Sequence, residues 1–144
     1  MHNELLDILE YDGEGYQPLV DFGTWRVAFL RFIDEIIPEN IHRLERHVET
    51  DEVFVLLEGK AILFVGEGEK EIKKLHSIIM EPGKLFNVRK NAWHCCVLSR
   101  DGTILLVENC DTGKDNTDYV DLDASQKDYL VSVSGVHIEE WKIQ

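Results

Sequence analysis

Two short stretches of this chain combine imidazoles and carboxylates with apolar residues at strand-like spacing. In the first, RHVETDEVFVLLEGK at 46–60, His47, Glu49, Asp51 and Glu52 lead into Val53-Phe54-Val55-Leu56-Leu57, with Glu45 just upstream. In the second, WHCCVLS at 93–99, His94 is followed two residues later by Cys96. Alternate side chains of a strand share a face. Arg43, Glu45 and His47 therefore project together, as do Glu52, Phe54 and Leu56, and as do His94, Cys96 and Leu98. If these three faces look inward, one cavity mouth receives two histidines and one or two carboxylates, a nitrogen and oxygen donor set suited to a divalent metal. Cys96 would add a soft donor and turn the preference toward Zn²⁺ or Cu; its simpler reading, like that of Cys95 and Cys110, is a small buried hydrophobe.

The elements that must carry these residues read as short strands separated by turns. Apolar runs at 24–33, 41–48, 52–59, 61–66, 71–76, 84–89, 93–99 and 103–109 alternate with Gly, Asn, Asp or Pro, a spacing that predicts an all-β jelly roll or barrel. Glu58-Gly59-Lys60 predicts one hairpin, and Gly66-Glu67-Gly68 closes the next run. Leu5, Leu6 and Leu9 stand at helical spacing in residues 3–10, a segment too short to hold a helix without packing, hence a helix or a docked arm. Near the end, Asp123 with Gln126 three residues on predicts a capped helix over 124–130. The loop 110–118 is the most polar stretch, and Trp25, Phe29, Phe54, Phe64, Phe86 and Trp93 are expected in the core.

At 144 residues the chain fits one domain, 1–144. A formal charge of −13, from 28 acidic against 15 basic residues, would repel a phosphate backbone and argues against nucleic acid as a partner. No apolar stretch approaches the roughly 18 residues of a membrane span, and the acidic start is unlike a signal peptide. With an odd count of three cysteines, a reduced, cytoplasmic setting is expected. There is no phosphate loop, GxGxxG, HExxH, CxxC or GxSxG, so nucleotide-dependent and serine-hydrolase chemistry find no support.

The spacing of the histidine and glutamate positions resembles the cupins. Their first motif runs His, one residue, His, three or four residues, Glu, six residues, Gly; here Glu45, His47, Glu52 and Gly59 stand in those places, with Glu45 replacing the first histidine. In the second motif Gly83 and His94 match, while Arg89, Asn91 and Leu98 stand where Pro, Gly and Asn are usual. Asn91 is the mildest of these departures, because asparagine tolerates the left-handed backbone region. The resemblance spans about residues 40–109. It implies a cupin-like jelly-roll barrel and a metal held by His47, Glu52 and His94.

Such a two-histidine, one-carboxylate trio leaves coordination positions open for substrate. Glu45 is then a fourth ligand or a catalytic base, unless Arg43 or Arg46 neutralises it. The metal would be Fe, Mn, Zn or Ni, and the resemblance implies an isomerase, lyase or dioxygenase acting on a sugar, keto acid or other oxygenated metabolite. The alternative is a non-catalytic cupin that binds a small polar ligand with the metal site lost. The resemblance and the need to cover sheet edges both imply a homodimer. His42 falls on the face opposite His47, and His2, His76 and His137 match no motif position. Glu49 and Asp51 read as solvating charge, and Arg43 and Arg89 either meet an anionic substrate or balance carboxylates.

Overall fold

A computed structural model describes residues 4–138; His2 lies outside them. Ten strands among the described residues form two antiparallel five-stranded sheets. They are β1 (Gly15–Phe22), β2 (Trp25–Arg31), β3 (Arg43–His47), β4 (Glu52–Glu58), β5 (Ala61–Glu67), β6 (Lys74–Ile79), β7 (Phe86–Val88), β8 (Trp93–Leu98), β9 (Thr103–Asn109) and β10 (Thr117–Asp121). The first sheet has the order β1-β2-β9-β4-β7 and the second β10-β3-β8-β5-β6. Because consecutive strands repeatedly change sheet, residues distant in sequence meet across the sandwich, as in a jelly roll.

The inner faces follow from alternation. Ala28, Phe54, Leu56, Ile104 and Leu106 of the first sheet pack against Ala61, Leu63, Cys96 and Leu98 of the second. A second core lies on the outer side of the second sheet, where Leu44, Ile62, Phe64, Trp93 and Val97 are covered by Leu130 of helix α1 (Ala124–His137). That explains β5: Ala61 to Phe64 is a continuous apolar run because both of its faces are buried. The outer side of the first sheet has no such cover among the described residues, leaving Phe22 71%, Trp25 44% and Leu57 44% exposed. No helix among the described residues is long and apolar enough to cross a membrane.

Several sequence expectations change here. Of the two forms expected at the start of the chain, residues 4–14 show no helix and run as an arm, with Leu5 95% exposed; Asn3, the start of that predicted segment, lies outside the described residues. Trp25 and Phe29 do not join the core. In β2 they alternate with Ala28 and Leu30, and it is the latter pair that faces the other sheet. The strand expected at 71–76 is displaced to Lys74–Ile79. Two strands were not anticipated, β1 and β10, and both are sheet edges. β1 contains Pro18, which an edge strand tolerates because its unpaired side needs no donor, and its register with β2 shifts between Pro18 and Val20.

The predicted punctuation is largely present. Asp123 and Gln126 form a reciprocal capping box, with Gln126 N donating to Asp123 Oδ1 at 2.7 Å and Asp123 N donating to Gln126 Oε1 at 2.9 Å. The helix they start extends beyond 130 to His137, and Gln126 Nε2 ties it to the Ile72 carbonyl at 2.9 Å. At Gly59 the expectation is corrected: β4 and β5 belong to different sheets, so the turn carries the chain across the sandwich and closes no hairpin. Gly59 makes that turn at φ 75, with no room for a side chain: a Cβ there would lie 2.6 Å from the Gly102 backbone. Asn91 adopts φ 70, the left-handed conformation expected of the residue standing in for glycine.

Candidate metal centre

The site lies between the two sheets at one end of the sandwich. β3 and β8 are neighbours in the second sheet, with Glu45 directly opposite His94. Two residues further along β3, His47 faces the same way. β4 of the first sheet begins at Glu52 and points it back across the gap. The turn 48–51 between β3 and β4 is held from both sides. The Asp51 carboxylate accepts from Lys90 N at 2.8 Å and Asn87 Nδ2 at 3.1 Å, and Thr50 Oγ1 accepts from Asn109 N at 3.1 Å. Asp51 is thus more than solvating charge, since it fixes the turn that sets the His47 to Glu52 separation. The Lys90 hydrogen bond holds its carboxyl below the ordinary value.

The three residues predicted as ligands converge. His47 Nε2 and His94 Nε2 lie 3.2 and 3.1 Å from the same oxygen, Glu52 Oε1. Glu45 Oε1 lies 3.7 Å from His47 Nε2 and 3.9 Å from His94 Nε2. One donor atom from each of Glu45, His47, Glu52 and His94 falls within 4.8 Å of the others, a cluster that could hold a metal ion. His47, Glu52 and His94 are buried, and Glu45 is partly open to the cavity. Cys96, on the next inward position of β8, is not among the converging donors; burial, with the nearby Glu52 charge, pushes its thiol up to about 12.

The outer nitrogens of the two rings decide what the inner ones offer. His94 Nδ1 lies 2.9 Å from the Ala92 carbonyl, which can only accept, so Nδ1 carries a proton. In the neutral ring Nε2 then presents a lone pair to a carboxylate oxygen. Two acceptors at 3.1 Å require a positive charge between or upon them, either a proton or a cation. His47 is oriented through the same nitrogen, with Nδ1 2.9 Å from Thr117 Oγ1 on β10, a hydroxyl that can accept from a protonated Nδ1 or donate to a bare one. A ring held through its outer nitrogen, with the inner one turned toward the other donors, is the usual orientation of a metal-ligating histidine. The donor set therefore fits a divalent ion.

Without a metal the same charge is supplied by protons. Burial pushes both imidazoles down, but the hydrogen bond and charge of Glu52, with Glu45 adding, outweigh it and hold both above the ordinary histidine value. Burial likewise raises Glu52, and its hydrogen bonds and charge interactions with the two histidines more than reverse this, leaving its carboxyl well below normal. No lysine or arginine among the described residues pairs with Glu45. Arg46 is on the other face of β3, 3.0 Å from Asp118 and 4.3 Å above the Trp93 ring, while Arg43 stacks on Tyr119.

Sequence reasoning missed Glu108. In β9 it follows Ile104 and Leu106 on the inward face, so the alternation within TILLVEN was the available signal. Its carboxylate is buried, with Oε1 4.0 Å from His47 Nε2 and Oε2 accepting from Tyr16 Oη at 2.5 Å. Burial and the Glu52 charge push Glu108 up to about 7, and burial with the Glu108 hydrogen bond raises Tyr16 as well. Behind them Arg26 reaches Tyr16 Oη at 3.5 Å while bound to Asp21.

A cavity of ≈ 560 Å³ opens onto these groups, within the range of small-molecule sites. Leu30, Ile36, Phe54 and Leu106 give it an apolar wall. Thr112, Gly113 and Lys114 of the polar loop form part of its mouth. His42 also reaches the rim, where its Nδ1 meets Lys127 Nζ at 2.6 Å; His76 pairs with Glu67 at 2.9 Å, away from the cavity.

No family model and no curated protein matches the sequence. Solved structures match its fold. A cupin-2 domain containing protein from Shewanella frigidimarina is 14% identical, with 69% of this chain and 84% of that chain covered at a TM-score of 0.51. Pac13, described as a β-barrel nucleoside dehydratase, is 9% identical, with 82% and 95% covered and a TM-score of 0.52; a Streptomyces Pac13 variant has been solved with uridine. At these identities the likeness concerns architecture, and the architecture is a cupin-type fold.

Proposed function

We propose that this chain is a metal-dependent enzyme of the cupin type, an isomerase, lyase or dioxygenase acting on a small oxygenated metabolite. The observation that carries this reading is the pair of buried imidazoles aimed at one carboxylate oxygen at 3.1 and 3.2 Å, their outer nitrogens already engaged. His47, His94 and Glu52 would hold the ion, with Glu45 as a fourth ligand or the base. When bound, a divalent metal supplies Lewis acidity toward a substrate oxygen. A carboxylate-rich donor set favours Mn²⁺ or Fe²⁺, with Zn²⁺ and Ni²⁺ as the other candidates.

The remaining work falls to the side chains. The apolar wall of Leu30, Phe54 and Leu106 keeps water from the reacting atoms and strengthens every charge interaction there. Glu45, partly exposed on the cavity side of both rings, has room to reach a substrate proton. Glu108 and Tyr16 form a second proton-handling pair at the opposite wall, where Tyr16 Oη donates to Glu108 Oε2.

A second reading, a non-catalytic module binding a small polar ligand, is favoured by one observation: with both imidazoles protonated, Glu52 is fully satisfied and needs no ion. Elemental analysis of protein purified without chelator separates the two. About one equivalent of divalent metal per chain is expected; negligible content, with ligand-induced stabilisation that ignores chelator, would sink the enzyme reading in favour of the second. The proposal includes a homodimer, with the exposed apolar residues Val20, Phe22, Trp25 and Leu57 of the first sheet packed against a second copy. Sedimentation equilibrium should give twice the chain mass, and Trp25→Glu should shift it toward monomer; a wild-type monomer refutes this part.

A further inference from the structure

The rim of the cavity holds a cation with no carboxylate partner. Arg43 occupies the third inward position of β3, beyond Glu45 and His47, and lines the same cavity. Arg26 binds Asp21 and Arg46 binds Asp118, both within 3.0 Å. Arg43 does not: among the described residues no Asp or Glu lies within 4.0 Å of its guanidinium, although Asp121 stands opposite it in the β3–β10 ladder. Its guanidinium carbon sits 3.8 Å from the centroid of the Tyr119 ring. Arg89, the other arginine in question, does not line the cavity.

That stack has a chemical consequence. An arginine held over an aromatic ring is restrained by a cation–π contact without engaging a carboxylate, so the N–H donors turned away from the ring remain available for a planar or tetrahedral oxyanion. Tyr119 is itself fixed, because β10 pairs it directly with Glu45. The guanidinium is thus built into the strand pair that carries two members of the metal cluster. Lys114, also at the mouth and without an ion-pair partner among the described residues, adds a second positive charge. Glu35, itself exposed, and Glu45 line the cavity too and oppose an anion, while the buried carboxylates Glu52 and Glu108 make its inner end acidic.

Successive inward positions on a strand are separated by about 6.6–6.8 Å, which places Arg43 about 7 Å along β3 from Glu45 and about 13 Å from His47. We propose that Arg43, stacked on Tyr119, binds a carboxylate or phosphate at the far end of the substrate whose other oxygens sit at His47, Glu52 and His94. This deepens the metal-enzyme reading and rests on it: the substrate class narrows to acid or phosphate derivatives of a hydroxylated chain about six carbons long.

The test uses three probes that share such a chain, glucose, gluconate and glucose 6-phosphate, titrated calorimetrically into the full-length protein with and without Mn²⁺. At least one anionic probe should bind about tenfold or more tightly than glucose, and added salt should weaken it. Arg43→Met should remove that preference while Mn²⁺ affinity, read by electron paramagnetic resonance, stays within about twofold; Arg43→Lys should keep part of it. Preference for gluconate alone assigns a carboxylate, and for glucose 6-phosphate alone a phosphate. Equal binding of all three probes, no binding of any, or a preference that survives Arg43→Met overturns the inference. Failure of the wild type to take any of Mn²⁺, Fe²⁺, Zn²⁺ and Ni²⁺ is a separate result that defeats the metal reading, and the metal-free titrations still judge Arg43.

Discussion

Replacing both imidazoles, His47→Ala with His94→Ala, is expected to lower bound divalent metal from about one equivalent per chain to less than a tenth of that. Removing one ligand of such a site ordinarily weakens binding by orders of magnitude, and here the pair supplies both nitrogen donors. The variants should also behave differently without metal. Glu52 is 5% exposed, and its charge is stabilised by hydrogen bonds from the two rings. Taking away one partner of a buried pair costs about 3–5 kcal/mol when nothing replaces it, so the double variant should unfold at markedly lower denaturant in chelator. Glu52→Gln separates the two effects. It removes the buried charge along with the ligand, so it should abolish metal binding with a smaller loss of metal-free stability. Metal content that survives in either variant would place the ion elsewhere.

The convergence of His47, Glu52 and His94 was legible because strand alternation is a strong constraint. Once β3, β4 and β8 are strands, a single choice of inward face aligns Glu45 with His47, Glu52 with Phe54, and His94 with Cys96, and the apolar members of each set fix the choice. The same rule, applied to β9, would have placed Glu108 in the site, but a run dominated by Ile104, Leu105, Leu106 and Val107 reads as core at both phases and hides the acid at its end. β2 misled for the related reason that both its faces are apolar, so alternation could not say whether Trp25 and Phe29 or Ala28 and Leu30 look inward. The edge strands β1 and β10 were hidden by composition: Pro18 and the acidic TDYVD are poor strand signals that edges accept because one side of the ladder stays unpaired. What no local pattern carries is pairing between distant strands. The stack of Arg43 on Tyr119 depends on β10 returning to β3, 76 positions apart in Arg43 to Tyr119, and becomes visible only with the register known.

Metal should stabilise this protein far more at pH 8 than at pH 5.5, and the metal-free protein should lose stability over the same interval. The sign follows from the directions of the shifts. The imidazoles of His47 and His94 are held above 6.5 in the folded state, so their contribution is fully present below 6.5 and fades as pH rises through their folded values. Glu52 is held below 4.5, so its contribution is present above 4.5 and fades only as pH falls through its folded value. Glu108 is raised from 4.5 to about 7, so it costs stability progressively as pH rises between those values and nothing further above them. The two histidines and Glu52 together are therefore most stabilising between about pH 4.5 and 6.5, with Glu108 subtracting progressively across that window. A divalent ion replaces the departing protons, and at a free concentration of 100 Kd it adds about 2.7 kcal/mol. Because protons compete for the same nitrogens, that gain should shrink as pH falls through the histidine range. Denaturant midpoints measured with chelator and with Mn²⁺ at both pH values check this, with the double histidine variant as the reference that cancels the titration of the many surface carboxylates. Equal metal stabilisation at the two pH values, or metal-free stability that rises from pH 6 to 8 relative to that variant, would show that these rings and carboxylates do not share one charge-balanced site.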